Sequence, residues 1–196
     1  MTAATSKSLT LEEFLQLPET KPASEFLAGK IIQKPGSKGR HSCLQYEVCN
    51  VINQATKNQK IAYAFPELRC TFANRSIVPD IAVFRWQNIP FLSDGQVPDR
   101  FSFPPNWVIE ILSPEQKPNQ VIGNILYCIE NGSELGWLID PDDQSVLVFW
   151  RDARRAVASR HRAPSLRQEN DVLAVLAEIK LELTADQLFS YIKMGN

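Results

Sequence analysis

The 196-residue sequence has little net charge and no long hydrophobic run. None of its apolar runs approaches the roughly 18 residues that span a bilayer, and the first nine residues lack the apolar segment of a secretory signal. We therefore expect a soluble, cytoplasmic protein. The net charge of −1 and pI near 6.2 argue against a nonspecific polyanion binder, because such binding rests on many Lys and Arg contacts to phosphate.

Residues that usually bind zinc are also scarce. The sequence has two histidines and no Cys-x-x-Cys pair, so we expect no structural zinc site. Its cysteines lie in apolar patterns that are typical of reduced core residues, which fits a cytosolic compartment. They are Cys43, Cys49, Cys70 and Cys128. Walker A, dinucleotide-binding and nucleophile-elbow motifs are absent from the sequence as well.

Two apolar runs, residues 76–84 and 106–114, each carry one carboxylate, Asp80 and Glu110. Their β-branched and aromatic residues predict buried strands. Acids are rarely buried unless they are paired or bind a metal, so two acids on neighbouring strands predict a hard-oxygen site for Mg²⁺ or Mn²⁺. Two alternatives stay open: Asp80 follows Pro79 in a turn before a strand, or Glu110 faces water at a sheet edge.

Such a site suits the hydrolysis of a phosphodiester bond, which needs a metal ion to activate water and neutralise phosphate charge. The backbone carbonyl of Ile111 is a candidate further ligand, and Glu25 is a candidate third carboxylate if the first hairpin lies against the sheet. A nearby lysine would stabilise developing negative charge. Position 112 is Leu112, and the nearest lysine is Lys117, for which a solvated loop position is favoured.

Two basic stretches, residues 34–40 and 151–162, are typical of solvated surface segments. In the first, Lys38 and Arg40 are candidate substrate-binding residues. The adjacent His41 is a third candidate, although capping of the following helix is slightly favoured for it.

A second acidic cluster surrounds Pro141 and is interpreted as a turn between two strands. Its members are Asp140, Asp142 and Asp143.

The pattern as a whole predicts one α/β domain over residues 10–190, with a mixed sheet flanked by helices, after a disordered tail at residues 1–9. A capping box at Thr10 and Glu13 begins a short helix, and a hairpin turns near Ala28 and Gly29, with Glu25 just before its first strand. The other predicted elements are a helix from residue 41, strands at 61–65 and 68–72, a surface loop at 87–105, a helix at 120–130, strands at 136–140 and 145–150, and a short strand followed by a helix capped by Thr184.

These residues resemble the Uma2-like endonucleases, which are abundant in cyanobacteria and belong to the PD-(D/E)xK, or restriction-endonuclease-like, superfamily. The segments that carry the resemblance run from residue 10 to residue 150: residues 25–32, His41, Pro79 and Asp80, residues 108–114, Tyr127, and residues 131–141. The resemblance implies a restriction-endonuclease-like core, a site for Mg²⁺ or Mn²⁺, cleavage of DNA, and often a homodimer. It matches Asp80 and Glu110 to the family's metal-binding acids and Glu25 to its early acid.

Two positions depart from the family pattern. The family lysine typically lies on the helix after the Ser-Pro loop, and alignment places Asn124 there. Asparagine can hydrogen-bond a phosphate or water but brings no positive charge. Ala28 stands where the early turn usually has an acid. Two alternatives to an active nuclease therefore remain: a catalytically silent nuclease fold that binds nucleic acid or a protein partner, and a structural protein whose acids serve stability.

Overall fold

The computed structural model describes residues 9–151 and 165–195, so residues 1–8 of the predicted tail and most of the second basic stretch lie outside the described residues. Four α-helices, a 3₁₀ turn and eleven strands make up the described part. They are α1 (Leu11–Leu15), β1 (Ser24–Leu27), β2 (Lys30–Gln33), α2 (Gly39–Thr56), β3 (Ala62–Pro66), β4 (Arg69–Phe72), β5 (Arg75–Ile77), β6 (Ile81–Arg85), the 3₁₀ turn (Trp86–Asn88), β7 (Arg100–Phe101), β8 (Trp107–Ile111), α3 (Pro118–Asn131), β9 (Leu135–Asp140), β10 (Ser145–Trp150), β11 (Ser165–Gln168) and α4 (Ala185–Ser190). No helix among these is long and apolar enough to cross a bilayer.

The strands form two mixed sheets, in keeping with the predicted α/β class. The six-stranded sheet has the order β11-β10-β9-β8-β6-β3, and the five-stranded sheet has the order β2-β1-β5-β4-β7. Among the described strands, only β8 with β9 and β4 with β7 pair in parallel. The helix α3 joins β8 to β9, which is the crossover that a parallel pair requires.

The six-stranded sheet is covered on both faces because side chains alternate along its strands. Ile81 and Ile109 face a core that α2 and α4 complete. Val108, the residue before Ile109 in β8, lies on the opposite face of the sheet. It packs in a second core, formed with α3 and the five-stranded sheet. The central strands are therefore buried on both sides, which is why residues 106–114 read as a continuous apolar run.

Local signals at the helix ends are confirmed. The capping box of α1 forms between Thr10 and Glu13, and α4 begins at Thr184 with a capping box of the same kind. Gly132 ends α3 with a φ of 134°, a conformation that favours glycine. The first hairpin turns at Ala28 and Gly29, both with positive φ, as a tight antiparallel connection requires.

Four details of the sequence prediction were wrong. Residues 76–84 are not one strand: β5 ends at Ile77, and the chain passes through Pro79 and Asp80 into β6 of the other sheet. Glu25 lies within β1 rather than before it. The loop at residues 87–105 contains β7 and buries Phe101, and residues 181–183 do not form a strand.

Gly136 sets how closely α3 packs on the sheet, and Gly136→Ala is expected to destabilise the fold. A methyl group there would overlap Ile125 Cγ2, which is fully buried, and would lie 3.5 Å from Val108 Cγ1. We expect a loss of about 1–3 kcal/mol in the free energy of unfolding, measured by urea denaturation.

Gly123→Ala is the matched control for Gly136→Ala. It lies on the exposed side of α3, and no described atom beyond its chain neighbours and the nearby helix backbone comes within 4 Å of an added methyl group. It should stabilise α3 by up to about 1 kcal/mol. Equal stability changes in the two variants would contradict the tight contact at Gly136.

Candidate active site

Asp80 is the centre of the site and is 2% exposed. It lies immediately before β6, where the chain crosses between the two sheets. Its Oδ1 accepts a hydrogen bond from Lys34 Nζ at 2.6 Å, and its Oδ2 accepts one from the backbone N–H of Ile111 at 2.7 Å. His41 Nε2, in the first turn of α2, lies 3.2 Å from the same Oδ2. These contacts fix the Asp80 carboxylate in one orientation.

Glu110 lies opposite Asp80. In the antiparallel pair of β6 and β8, Ile81 is paired with Ile109, and one further step in register brings Asp80 to Glu110. Glu110 is 2% exposed, and its Oε2 accepts a hydrogen bond from Lys34 Nζ at 3.2 Å. Its Oε1 is buried without a hydrogen-bond partner among the described residues. The two predicted acids are therefore buried next to each other. Asp80 does lie in a bend between Pro79 and β6, as the first alternative had it, whereas Glu110 lies within β8 and does not face water.

Glu25 reaches the same region from the first hairpin. Its Oε1 accepts a hydrogen bond from the backbone N–H of Val78 at 2.9 Å, and its Oε2 accepts one from Asn124 Nδ2 at 3.3 Å. The hairpin thus does lie against the central sheet, as a role for Glu25 requires. Asn124 is buried on α3 and holds Glu25 in place. We call Asp80, Glu110 and Glu25 the acidic cluster.

Lys34 supplies the positive charge that the sequence analysis did not find. The stretch 34–40 was interpreted as a solvated loop, but the Lys34 side chain is only 14% exposed and pairs with both Asp80 and Glu110. Its third contact is the carbonyl oxygen of Val78, at 2.8 Å. The lysine of this site thus comes from the end of the first hairpin rather than from the position of Asn124.

The hairpin register contains a signal that could have located Lys34. A turn at residues 28–29 pairs Glu25 with Ile32, and paired residues lie on one face of a hairpin. Lys34, two residues beyond Ile32, lies on that same face. A buried acid followed by a lysine on the same face would have pointed to Lys34 as its partner.

The charges of the cluster shift its ionisation in opposite directions. Burial opposes ionisation of Asp80, but the Lys34 ammonium and the hydrogen bond from His41 outweigh it, and the pKa of Asp80 falls below its ordinary value. For Glu110, burial prevails, helped by repulsion from Asp80, and its pKa is raised well above the ordinary value. Burial likewise raises the pKa of Glu25. The Lys34 ammonium favours ionisation of all three acids, but only at Asp80 do the favourable interactions outweigh the cost of burial.

Glu110→Gln is expected to flatten the pH dependence of stability above pH 4.5. Because the folded-state pKa of Glu110 is raised above its unfolded value of about 4.3, its contribution is fully present below that value and is lost as the pH rises through the folded pKa. The wild type should lose up to about 1.4 kcal/mol per pH unit from this group, and the variant should not.

Urea denaturation between pH 4.5 and 8 in EDTA measures this slope. The exposed Glu182→Gln is the matched control and should keep the wild-type pH dependence. Equal slopes for wild type and Glu110→Gln would mean that Glu110 ionises in the folded protein without penalty.

Two cavities border the site. One, of about 380 Å³, is lined by Glu25, Glu110 and Asn124 and also by Lys117, the predicted loop lysine. Lys117 is exposed in that cavity wall and precedes α3. The other cavity, of about 620 Å³, is lined by Asp80 and His41 among others. Lys34, Pro35 and Gln116 line both, so the lysine lies between the two approaches.

The candidate substrate-binding residues Lys38 and Arg40 lie in exposed ion pairs. Lys38 Nζ is 2.6 Å from Glu115 Oε1, and Arg40 Nη2 is 2.6 Å from Asp142 Oδ1. With His41 they line a shallow cavity of about 210 Å³. This cavity adjoins the acidic cluster through His41.

The interpretation of the second acidic cluster as a turn is supported by its hydrogen bonds. The backbone N–H groups of Asp142 and Asp143 both donate to Asp140 Oδ1, which closes the turn between β9 and β10.

The donor set of the acidic cluster fits a divalent cation of the Mg²⁺ type. Its oxygens are hard ligands, Glu110 Oε1 has no partner among the described residues, and a cation, the Lys34 ammonium, already lies between Asp80 and Glu110. Within residues 9–151 and 165–195, no three His, Cys, Asp or Glu side chains are yet arranged to hold a metal ion. The Ile111 N–H faces Asp80, and a role for the Ile111 carbonyl stays a prediction.

Comparison with known proteins matches this chain to a protein family and to solved structures. The family model of Uma2, described as "Putative restriction endonuclease", matches residues 11–186. A crystal structure of "a putative nuclease belonging to DUF820" from Anabaena variabilis is 45% identical, covers 94% of this chain and 99% of its own, and has a TM-score of 0.86. A search of curated proteins found no match. Both matches support a nuclease function and the restriction-endonuclease-like fold.

Proposed function

Because the chain belongs to the Uma2 family, we propose that it is a divalent-metal-dependent endonuclease that hydrolyses phosphodiester bonds in DNA. The observation that carries the proposal is the pairing of two buried carboxylates, Asp80 and Glu110, across neighbouring strands, with the Lys34 ammonium at their oxygens. A buried cluster of acids costs folding free energy, and such clusters are typical of functional sites.

In this proposal Asp80 and Glu110 hold Mg²⁺ or Mn²⁺, with the Ile111 carbonyl as a further candidate ligand. When bound, the ion supplies an activated water and neutralises charge on the phosphate. His41 and the Ile111 N–H keep the Asp80 carboxylate oriented toward the site. This orientation is set before substrate arrives, so it costs no reorganisation during the reaction.

The other charged groups have separate roles. Glu25 lines the same cavity as Glu110, and burial raises its pKa, so we assign it a role in proton transfer. Lys34 provides the positive charge that stabilises the developing negative charge on phosphate. Lys117 lies in the wall of that cavity, where we propose that it contacts the DNA backbone. We assign the same task to the exposed Lys38 and Arg40, whereas the buried His41 keeps the role of orienting Asp80.

Cleavage of supercoiled plasmid tests the proposal directly, because a closed circle can be nicked only by an endonuclease. The protein is incubated with plasmid in MnCl₂ or MgCl₂, and in EDTA as the control. We expect nicked and then linear product with metal and none in EDTA. Equal cleavage in EDTA would contradict the metal requirement.

A second candidate function, a silent nuclease fold that binds nucleic acid or a protein, is favoured by the asparagine at position 124. It predicts Mn²⁺ binding by calorimetry without plasmid cleavage. The third candidate, a purely structural protein, predicts neither metal binding nor cleavage.

The homodimer implied by the resemblance is also part of the proposal. Size-exclusion chromatography with light scattering would give twice the 22.2 kDa mass of the chain if it is right.

A further inference from the structure

We propose that Lys34 is a built-in cation of the acidic cluster, and that a divalent cation enters the site by exchange with its ammonium group. This inference rests on the proposed function, because it concerns how the same site takes up its metal. It gives Lys34 a second role, in control of metal occupancy, beside the one proposed in cleavage.

The contacts of Lys34 are those of a bound cation. Its ammonium has three N–H donors, and it meets three oxygens, from Val78, Asp80 and Glu110, at 2.6 to 3.2 Å. Carboxylate and carbonyl oxygens are also the ligands that Mg²⁺ and Mn²⁺ take. An ammonium and a divalent cation carry charge of the same sign, so they compete for these oxygens.

The Lys34 ammonium also organises the site in the metal-free protein. Asp80 and Glu110 face each other across antiparallel strands, where like charges destabilise the pair. The lysine bridges them and keeps both side chains aimed at one point. The site is therefore formed before a metal ion arrives, and the metal replaces a cation instead of assembling the acids.

The Lys34 side chain also has space into which it can move away from the acids. Lys34 is the first residue after β2, in the segment that leads to α2, and no regular element fixes its backbone on the far side. Cavities of about 380 and 620 Å³ lie on either side of it. The side chain can turn into either cavity while β6, β8 and the acids they carry keep their positions.

Calorimetric titration with MnCl₂ alone tests the exchange. If the arrangement with Lys34 displaced is populated a tenth of the time or less, the apparent dissociation constant is raised about tenfold. Lys34→Met should therefore bind Mn²⁺ about tenfold more tightly than wild type. Lys30→Met, on the exposed start of β2, is the matched control and should bind as wild type does. Equal or weaker binding by Lys34→Met would overturn the proposal.

A second measurement uses the wild type, so it does not depend on the variant folding. Lysines are acetylated with a succinimidyl ester in EDTA and in saturating MnCl₂, and each site is quantified by mass spectrometry. Lys34 should be protected in EDTA and become several-fold more reactive with Mn²⁺, whereas the exposed Lys30 and Lys180 should not change. Unchanged or lower reactivity of Lys34 would overturn the exchange.

These outcomes are independent of cleavage. A protein that cuts plasmid with Mn²⁺ while Lys34 stays protected is a nuclease without the exchange. A protein that shows the exchange but never cuts supports this inference and contradicts the proposed nuclease. Absence of Mn²⁺ binding in both wild type and Lys34→Met overturns the exchange and the metal site together.

Discussion

Asp80→Asn is expected to lower metal-dependent plasmid nicking by at least about 10³-fold, equivalent to roughly 4 kcal/mol of transition-state stabilisation. Asp80 is the carboxylate at which Lys34, His41 and the Ile111 N–H converge. The amide keeps the side-chain volume but removes the negative charge and one of the two acceptor oxygens. It therefore weakens both the proposed metal site and the contact to Lys34. Initial nicking rates in MnCl₂ measure the effect.

Folding of this variant must be checked, because Asp80 is buried. Loss of a hydrogen bond to a charged partner costs about 1.5–3 kcal/mol, so we expect a lower melting temperature with an unchanged circular dichroism spectrum. Asp143→Asn, in the exposed turn between β9 and β10, is the matched control and should cut at the wild-type rate. Asp80→Asn with activity within tenfold of wild type would remove Asp80 from the catalytic machinery.

The acids of the site could be predicted from the sequence because their signal is local. An acid within a β-branched, aromatic run is unusual over a window of nine residues, and it does not depend on knowing the fold. Asp80 and Glu110 were found in this way, and their pairing across β6 and β8 follows from the burial of both runs.

Lys34 could not be found by the same reasoning. Its partners lie 46 and 76 residues away in sequence, and its own surroundings, Gln33 and a Pro-Gly-Ser segment, are those of an exposed loop. Only the packing of the hairpin against the central sheet buries it. The family resemblance pointed to the helix instead, where Asn124 now contacts Glu25.

The division into two sheets was missed for a different reason. Residues 76–84 are buried throughout, since β5 and β6 each pack in a core, so the burial pattern does not break where the chain changes sheet. Pro79 is the one local sign of the crossing, because proline cannot donate to a strand ladder. That crossing is also what places Asp80 at the meeting point of the two sheets.

Lys34→Met is expected to reduce nicking by about 10²- to 10³-fold, the usual effect of removing one positioned group that stabilises developing charge. If Lys34 also exchanges with the metal, the same variant binds Mn²⁺ more tightly while cutting more slowly. Single-turnover nicking rates at saturating Mn²⁺ separate the two effects, because differences in metal occupancy then vanish. Lys30→Met should cut as wild type does.

Asn124→Lys tests whether the source of the ammonium matters. Asn124 Nδ2 is 3.3 Å from Glu25 Oε2, so a lysine on α3 would reach the acidic cluster from the side opposite the β2 end. We expect Asn124→Lys to change the cleavage rate of the wild type little, and to raise the cleavage rate of Lys34→Met at least about tenfold. Such rescue would mean that Lys34 performs the role that the family pattern assigns to a lysine on the helix, at the position of Asn124. If Lys34→Met is fully active and Asn124→Lys alone increases cleavage, then Lys34 does not stabilise the developing charge, and a lysine on α3 does so instead.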